Sequence, residues 1–400
     1  MTRKTRTPTS TVKVNGHSAE WLKKGFQWVY PNEITGLPAR LEPGMKVQIE
    51  DKNGQHHGWG IYDSGWISVR RFTSTQKQQI TPDFIKERIK AALTLREALL
   101  PPETTAWRLI NNENDMLPGV RIDVWGEAAS LRLDSPSLKV LIDPICDALE
   151  ELLKIKTIYQ GWRVDPRDSF DLPNNESKLV RGPAVDELTV SERGLLYRVR
   201  PWAAADAGLY PDMRDNRAWL EPHCAGRDVL NLFAYTGAFS VVAASRGATS
   251  TLTTDLSQST LDRAKVNFEL NGLLNDEHEF VSGDNFKVLD MLRRKSRMFD
   301  LIVADPPAFS RSDAAFSVSK DYAKLVTYAL RVLRPGGLLA MATNQGTFKP
   351  RAFQEAIMKG ARKAKRPLQL IHSGTQAPDF PSALEFPEGR YLKFGVYRRF

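Results

Sequence analysis

Two cysteines among 400 residues cannot make a disulfide framework. They also exclude a structural zinc site, because Cys146 and Cys224 stand alone and the adjacent His56 and His57 would point to opposite faces of a strand. No window approaches ~18 uninterrupted apolar residues, which excludes a transmembrane helix. No secretory signal opens the chain, and no repeat of fixed period marks a solenoid. The expected compartment is reducing and cytoplasmic, with no metal and no membrane contact. Acid is the scarcer charge: 47 Asp and Glu face 56 Lys and Arg, a formal net charge of +9. A polyanion is therefore a candidate partner. Hydrophobic residues at 42% and charged residues at 26% exclude wholesale disorder. At ~150 residues per domain the length predicts two to three domains.

The first fourteen residues contain no acid, and we read them as a frayed basic tail rather than a targeting peptide. Residues 20–72 alternate apolar and polar positions around Pro43-Gly44, Asn53-Gly54 and Ser64-Gly65, which predicts a small β-barrel or closed β-roll. Trp21, Trp28, Trp59 and Trp66 fall within it and are read mostly as core. Pro82 opens a helix carrying Phe84, Ile85, Ile89, Ala92 and Leu93 on one face. Strands at 107–110, 120–125, 128–133 and 157–159, with a second helix at 136–153, complete a compact α+β unit. The Asp-, Asn- and Pro-rich stretch 162–183 reads as a linker. Two short strands lead into the last unit, where strands at 228–233, 249–255, 277–284, 299–307 and 336–343 alternate with helices. That pattern implies a parallel, doubly wound α/β sheet. The expected domains are 1–74, 75–182 and 183–400.

In such a sheet, ligands bind at the carboxyl ends of the strands near the switch point. The first strand runs into a turn at Gly237, where backbone can approach a ligand closely. One glycine does not make the G-x-G-x-x-G of a dinucleotide site, which argues against a nicotinamide enzyme. Asp255 ends the next strand, eighteen residues after Gly237, where an acid can accept from both hydroxyls of a ribose. Asp284 ends the third strand and could face an adenine amino group, with Phe286 against the ring. The alternative is that both acids are helix N-caps. The fourth strand ends in Asp305-Pro306-Pro307-Ala308-Phe309. There Asp305 could accept from the amino group of a target base while Phe309 stacks on its ring.

Taken in order, these motifs resemble the three-domain bacterial ribosomal RNA methyltransferases over nearly the whole chain. WLKKGFQWVYPNEI is similar to that family's GHPWVY-x-NEI, and WRLINNENDMLPGVRIDVWG to its RL-x-x-x-E-x-D-x-LPG-x-x-x-D-x-YG. AGLYPDMRDNR is similar to its TGFFLDQRDNR, and VLNLFAYTGAF, TTDLSQSTLDRAK and FDLIVADPPAF follow in family order. The resemblance implies an N-terminal PUA-like domain, a small α+β central domain and a C-terminal Rossmann-like class I methyltransferase sheet that uses S-adenosylmethionine. It implies that Tyr210, Asp212 and Arg214 close over the cofactor and that Asn231, Phe233 and Gly237 line its methionine end. Asp255 with Leu256 would hold the ribose, Asp284 with Asn285 and Phe286 the adenine, and Asp305 would bridge cofactor and target base.

The departures are informative. Family members that methylate carbon 5 of cytosine carry a cysteine after the fifth strand, because that carbon is a poor nucleophile until a thiolate adds to the ring. This chain has Thr343-Asn344-Gln345-Gly346-Thr347-Phe348 there. The stretch is closer to that of relatives that methylate a guanine nitrogen, which makes Asn344 a candidate site residue. Pro211 and Met213 replace the family's Leu and Gln beside Asp212. Residues 349–366 hold seven cations against Glu355, a net of +6, and Arg293, Arg294, Lys295 and Arg297 form a second cluster. Both suit an RNA partner, although each could be a solvated helix face. The expectation is a methyltransferase acting on large-subunit ribosomal RNA, more at a guanine nitrogen than at cytosine carbon 5, with a homodimer left open. Its rival is a non-catalytic RNA-binding or ribosome-assembly factor on the same fold.

Overall fold

The computed structural model describes residues 10–307 and 316–400, apart from 164, 166, 169, 171, 173–176, 204 and 205. Among these residues the strands form four sheets. The first unit comprises β1 (Ser10–Val14), α1 (Gly16–Lys23), β2 (Trp28–Val29), β3 (Ile34–Gly36), β4 (Lys46–Asp51), β5 (His56–Tyr62) and β6 (Val69–Arg71). Its sheet runs β2-β6-β5-β4-β1-β3, so the barrel is curled but left unpaired between β2 and β3. The expected frayed tail is corrected at its end. Residues 10–14 form β1, paired with β4, because Val12 and Val14 alternate into the core. Of the tryptophans, Trp59 is buried and Trp21 is exposed. Trp28 and Trp66 join Phe26 and Tyr30 in an aromatic cluster, and Phe386 stacks on Phe26 at 4.9 Å.

The second unit comprises α2 (Pro82–Leu99), β7 (Ala106–Asn111), β8 (Val120–Trp125), β9 (Ala128–Leu133), α3 (Ile142–Leu153), β10 (Thr157–Trp162) and β11 (Ser177–Arg181). Thr81 caps α2 by accepting from the Phe84 amide at 3.1 Å, with Pro82 at the first helical position. The apolar faces of α2 and α3 cover one face of the sheet β11-β10-β9-β8-β7, built on Leu109, Ile122, Leu131 and Ile158. The stretch 162–183 is not purely a linker. Its end forms β11, an edge strand that its exposed side chains do not advertise but that pairs antiparallel with β10.

A hairpin of β12 (Leu188–Glu192) and β13 (Leu195–Val199) and a strap over 200–203 and 206–213 precede the third unit. Its elements are α4 (Arg214–Leu220), β14 (Asp228–Leu232), α5 (Ala238–Ser245), β15 (Ser250–Asp255), α6 (Gln258–Leu270), β16 (His278–Ser282), α7 (Asn285–Arg294), β17 (Phe299–Ala304), α8 (Val318–Val332), β18 (Leu333–Thr343), α9 (Pro350–Ala364), β19 (Leu368–Gly374) and β20 (Lys393–Arg399). The sheet runs β16-β15-β14-β17-β18-β20-β19, parallel from β16 to β18, with β20 antiparallel to both neighbours. The switch point lies between β14 and β17. The last two strands were not anticipated from the sequence. Among the described residues no helix is long and apolar enough to cross a membrane.

The connection from β19 to β20 ties the units together. Asp379 within it is fully buried and accepts from Arg214 Nη2 at 2.7 Å and from the Arg108 amide at 3.0 Å. Its carbonyl accepts from Arg96, whose guanidinium is paired with Asp115. Removing one partner of a buried pair leaves the other charge uncompensated. Asp379→Ala should therefore lower unfolding free energy by about 3–5 kcal/mol in urea titrations. A loss below ~1 kcal/mol would show that this connection does not hold the units together.

Candidate active site

Parallel register sets the ends of the central strands level. Leu232 of β14 lies beside Thr254 of β15 and Ala304 of β17, and Asp255 lies beside Ser282 of β16. Asp284, Asp255, the β14–α5 turn and Asp305 therefore emerge side by side across four strands, a span of about 14 Å at ~4.8 Å per strand. The turn is conformationally unusual. Phe233, Tyr235 and Gly237 all have positive φ, at 55°, 53° and 76°. Such strain persists only where surroundings enforce it, and it gathers at ligand sites. A Cβ on Gly237 would lie 3.0 Å from Ala264, so the turn is also seated tightly on α6.

Asp255 holds this turn. Its Oδ2 accepts from the Tyr235 amide at 2.9 Å and its Oδ1 from Ser257 at 3.1 Å. Each oxygen keeps a further lone pair, which suits a pair of vicinal hydroxyls. Leu256 beside it is 75% exposed, an apolar surface at a polar rim. Asp284 is the N-cap of α7, accepting from the Lys287 amide through Oδ1, so the cap reading is correct for that oxygen. Phe286 is half-buried beneath the Lys324 ammonium and lies roughly parallel to Phe316, which also meets Phe233. The donors and rings present thus fit an adenosine.

Four of the residues expected at the site are also engaged within the protein. Arg214 is wholly buried and engaged by Asp379 and Asp215 through Nη2 and Nε, so it anchors the strap, while its Nη1 has no partner among the described residues. Asn231 points to α5 and donates to Ser240, which also receives Thr253. Asn285 accepts from Thr254 and ties α7 to β15. Asp212 is partly buried: Tyr391 donates to its Oδ2 at 2.7 Å, and burial raises its pKa. Tyr210, by contrast, is 47% exposed, with its ring 5.0 Å from Tyr235. Arg217, bidentate to Glu192, holds the Tyr210 carbonyl at 2.9 Å.

Asp305 follows β17 between Ala304 and the Pro306-Pro307 exit, where Pro306 is buried and Pro307 exposed. Burial, reinforced by Asp212 and opposed by Arg217, raises its pKa to about 7. Phe309 lies outside the described residues. Asn344 is exposed just after β18. Next to it, the buried Gln345 Oε1 has no partner among the described residues, and the Gln345 carbonyl accepts from Lys393 Nζ at 2.6 Å. Burial, with help from Lys349, lowers that ammonium to about 8. Tyr391 and Lys393 were not found from sequence, because only the fold brings β20 beside this row.

Neither cysteine joins the row. Cys146 packs in the central-domain core and Cys224 lies before β14, at the opposite end of the sheet. Burial raises their thiols to about 11 and about 12.

Comparison with known proteins agrees with this geometry. Residues 161–389 match an S-adenosylmethionine-dependent methyltransferase family, and residues 12–74 match a PUA-like domain. The chain belongs to the S-adenosylmethionine-dependent methyltransferases. It is 32% identical to the ribosomal RNA large subunit methyltransferase I of Alteromonas mediterranea, over 93% of this chain and 94% of that one. The enzyme of the same name from Photobacterium profundum is also 32% identical, over 97% and 99%. Among solved structures, SMU.776 complexed with SAH is 26% identical, covers 97% of this chain and 99% of its own, and superposes with a TM-score of 0.84. S-adenosylmethionine is thus the cofactor of this methyltransferase, and a nicotinamide enzyme is excluded.

The raised Asp305 carboxyl has a testable sign. A carboxyl that titrates near 7 when folded and near 4 when unfolded binds more protons in the folded state between those values, so its contribution falls as pH rises. Asp305→Asn should leave Tm nearly unchanged at pH 3, where the wild-type group is neutral in both states, and raise it progressively through pH 5 to pH 8. A lower Tm for the variant at pH 8 would show that the carboxylate is well accommodated.

Proposed function

We propose that this methyltransferase acts on large-subunit ribosomal RNA in the cytoplasm, at a guanine nitrogen. The substrate class follows the names of its full-length relatives, the PUA-like domain and the net charge of +9. The atom rests on one observation: both cysteines are buried away from the strand-end row, whereas Asn344 occupies the loop after β18. Carbon 5 of cytosine would need a thiolate there.

S-adenosylmethionine supplies an electrophilic methyl group when bound. The chain supplies orientation, which accounts for most of the acceleration of such a transfer. Asp255 accepts the ribose hydroxyls, Asp284 Oδ2 and Phe286 recognise the adenine, and the Phe233–Gly237 turn seats the methionine portion. Asp305, poised near neutrality, accepts an N–H of the target base when ionised, and Asn344 and Gln345 border the base. The basic face of α9 is a docking surface for phosphates. The second basic cluster contributes less, because Arg293 and Arg294 share Asp290 and Arg297 is held by Glu279.

Two measurements test this reading. Asp255→Ala should weaken S-adenosylmethionine binding by about 2–4 kcal/mol in calorimetry, since two hydroxyls lose a charged acceptor. Unchanged affinity in the folded variant would remove Asp255 from the site. RNA carrying 5-fluorocytosine should form no denaturant-resistant adduct, and Cys146→Ser with Cys224→Ser should keep near-normal transfer. A stable adduct would place a cytosine in the site.

A further inference from the structure

The face of the central sheet turned away from α2 and α3 carries a concentration of arginine. Alternation sends Leu109, Ile122, Leu131 and Ile158 to the core and Arg108, Arg121, Asp123, Ser130 and Arg132 to the other face. Gly161 of β10 is level with Arg132, so Arg163, two residues on, continues the same face at its exposed rim. One half of this face is closed by the strap that leads to Tyr210: Ser130 donates to the Pro201 carbonyl at 2.6 Å, and Trp125 packs with Ala207 and Leu209. The other half holds the arginines.

Their arrangement is electrostatically unfavourable for the protein alone. Arg121 and Arg132 are direct cross-strand partners, and like charges in that position destabilise a sheet. Arg108 is matched by Asp123 at 2.6 Å and Arg121 by Asp134 at 3.0 Å. Among the described residues no carboxylate pairs with Arg132 or Arg163, and Arg132 Nε is buried without a hydrogen-bond partner. Burial and the nearby Arg163 hold Arg121 at about 10, and burial, with Arg108 and Arg163, lowers Arg132 against the opposing pull of Asp123. Across from them lies the mouth of the active site, with Tyr210 close enough to feel Arg132 and Asp212 close enough to feel Arg108. Arg132 and Arg163, with no carboxylate within ion-pair distance among the described residues, leave guanidinium donors beside the reaction centre that an anion could use.

We propose that Arg121, Arg132 and Arg163 form a phosphodiester-binding site that grips the RNA backbone next to the nucleotide presented to Asp305. This inference rests on the RNA reading above and extends it: the central domain becomes part of the substrate site rather than a spacer. Guanidinium groups bind phosphate through paired N–H donors, and three of them on one sheet face fix the strand's direction as well as its position. A carboxylate of the cofactor is the other anion that could use these donors.

The test uses the full-length chain, protein-free large-subunit ribosomal RNA, and the variants Arg132→Gln, Arg163→Gln and their combination. RNA affinity measured from 50 to 200 mM KCl should fall about ten-fold in each single variant at the lowest salt, and the salt slope should drop by about one per arginine removed. The Kd for S-adenosylmethionine should not change. Arg132→Gln should hold or raise Tm, because it relieves repulsion with Arg121, whereas a merely structural arginine would lower it. Wild-type affinity and slope in the double variant would overturn the phosphate site alone. A weakened S-adenosylmethionine Kd would reassign the arginines to the cofactor. Failure of the wild-type chain to bind the RNA would overturn the RNA reading and this site with it.

Discussion

Everything at the active site depends on one buried carboxylate. Asp379 is wholly enclosed, and its partners come from three places: the Arg214 guanidinium at the start of α4, the Arg108 amide in the central sheet and, through its carbonyl, Arg96 of α2. Two residues upstream, the Ala377 amide donates to the Asp212 carbonyl at 2.9 Å. A charge in that position cannot be left unmatched, so the strap, the central sheet and the β19–β20 connection take up one relative arrangement. That arrangement brings Tyr391 to Asp212 and Asp212 near Asp305.

The consequence is a row of carboxylates with different tasks. Asp255 spends part of its capacity on backbone amides and remains a good acceptor for hydroxyls. Asp305 is partly buried near a second carboxylate, and burial raises its pKa to about 7. The same strap that brings Asp212 inward also closes half of the arginine-bearing face of the central sheet. The row of carboxylates and the arginine-bearing face are thus placed together by a single packing solution.

Much of this was legible in the sequence, and the reasons are physical. β14, β17 and β18 were found because strands buried on both faces read as apolar runs, and Asp255, Asp284 and Asp305 were singled out because acids follow the strands. Arg214, Asn231 and Asn285 sit in the right motifs but turn inward, and a side chain's direction is set by packing that a linear motif does not encode. Asp379, Tyr391 and Lys393 were missed for the converse reason: each meets its partners across long sequence separations. β11 was hidden by its polar, exposed composition, which is normal for an edge strand.

The central claim is that this chain transfers a methyl group to ribosomal RNA without a cysteine nucleophile. Mass-spectrometric nucleoside analysis of large-subunit RNA from a strain lacking the protein, before and after incubation with the purified chain and S-adenosylmethionine, tests it most directly. The account predicts that a methylated guanosine is missing from the deletion-strain RNA and is restored by the enzyme. Restoration of 5-methylcytidine instead, or of no methylated nucleoside, would contradict it.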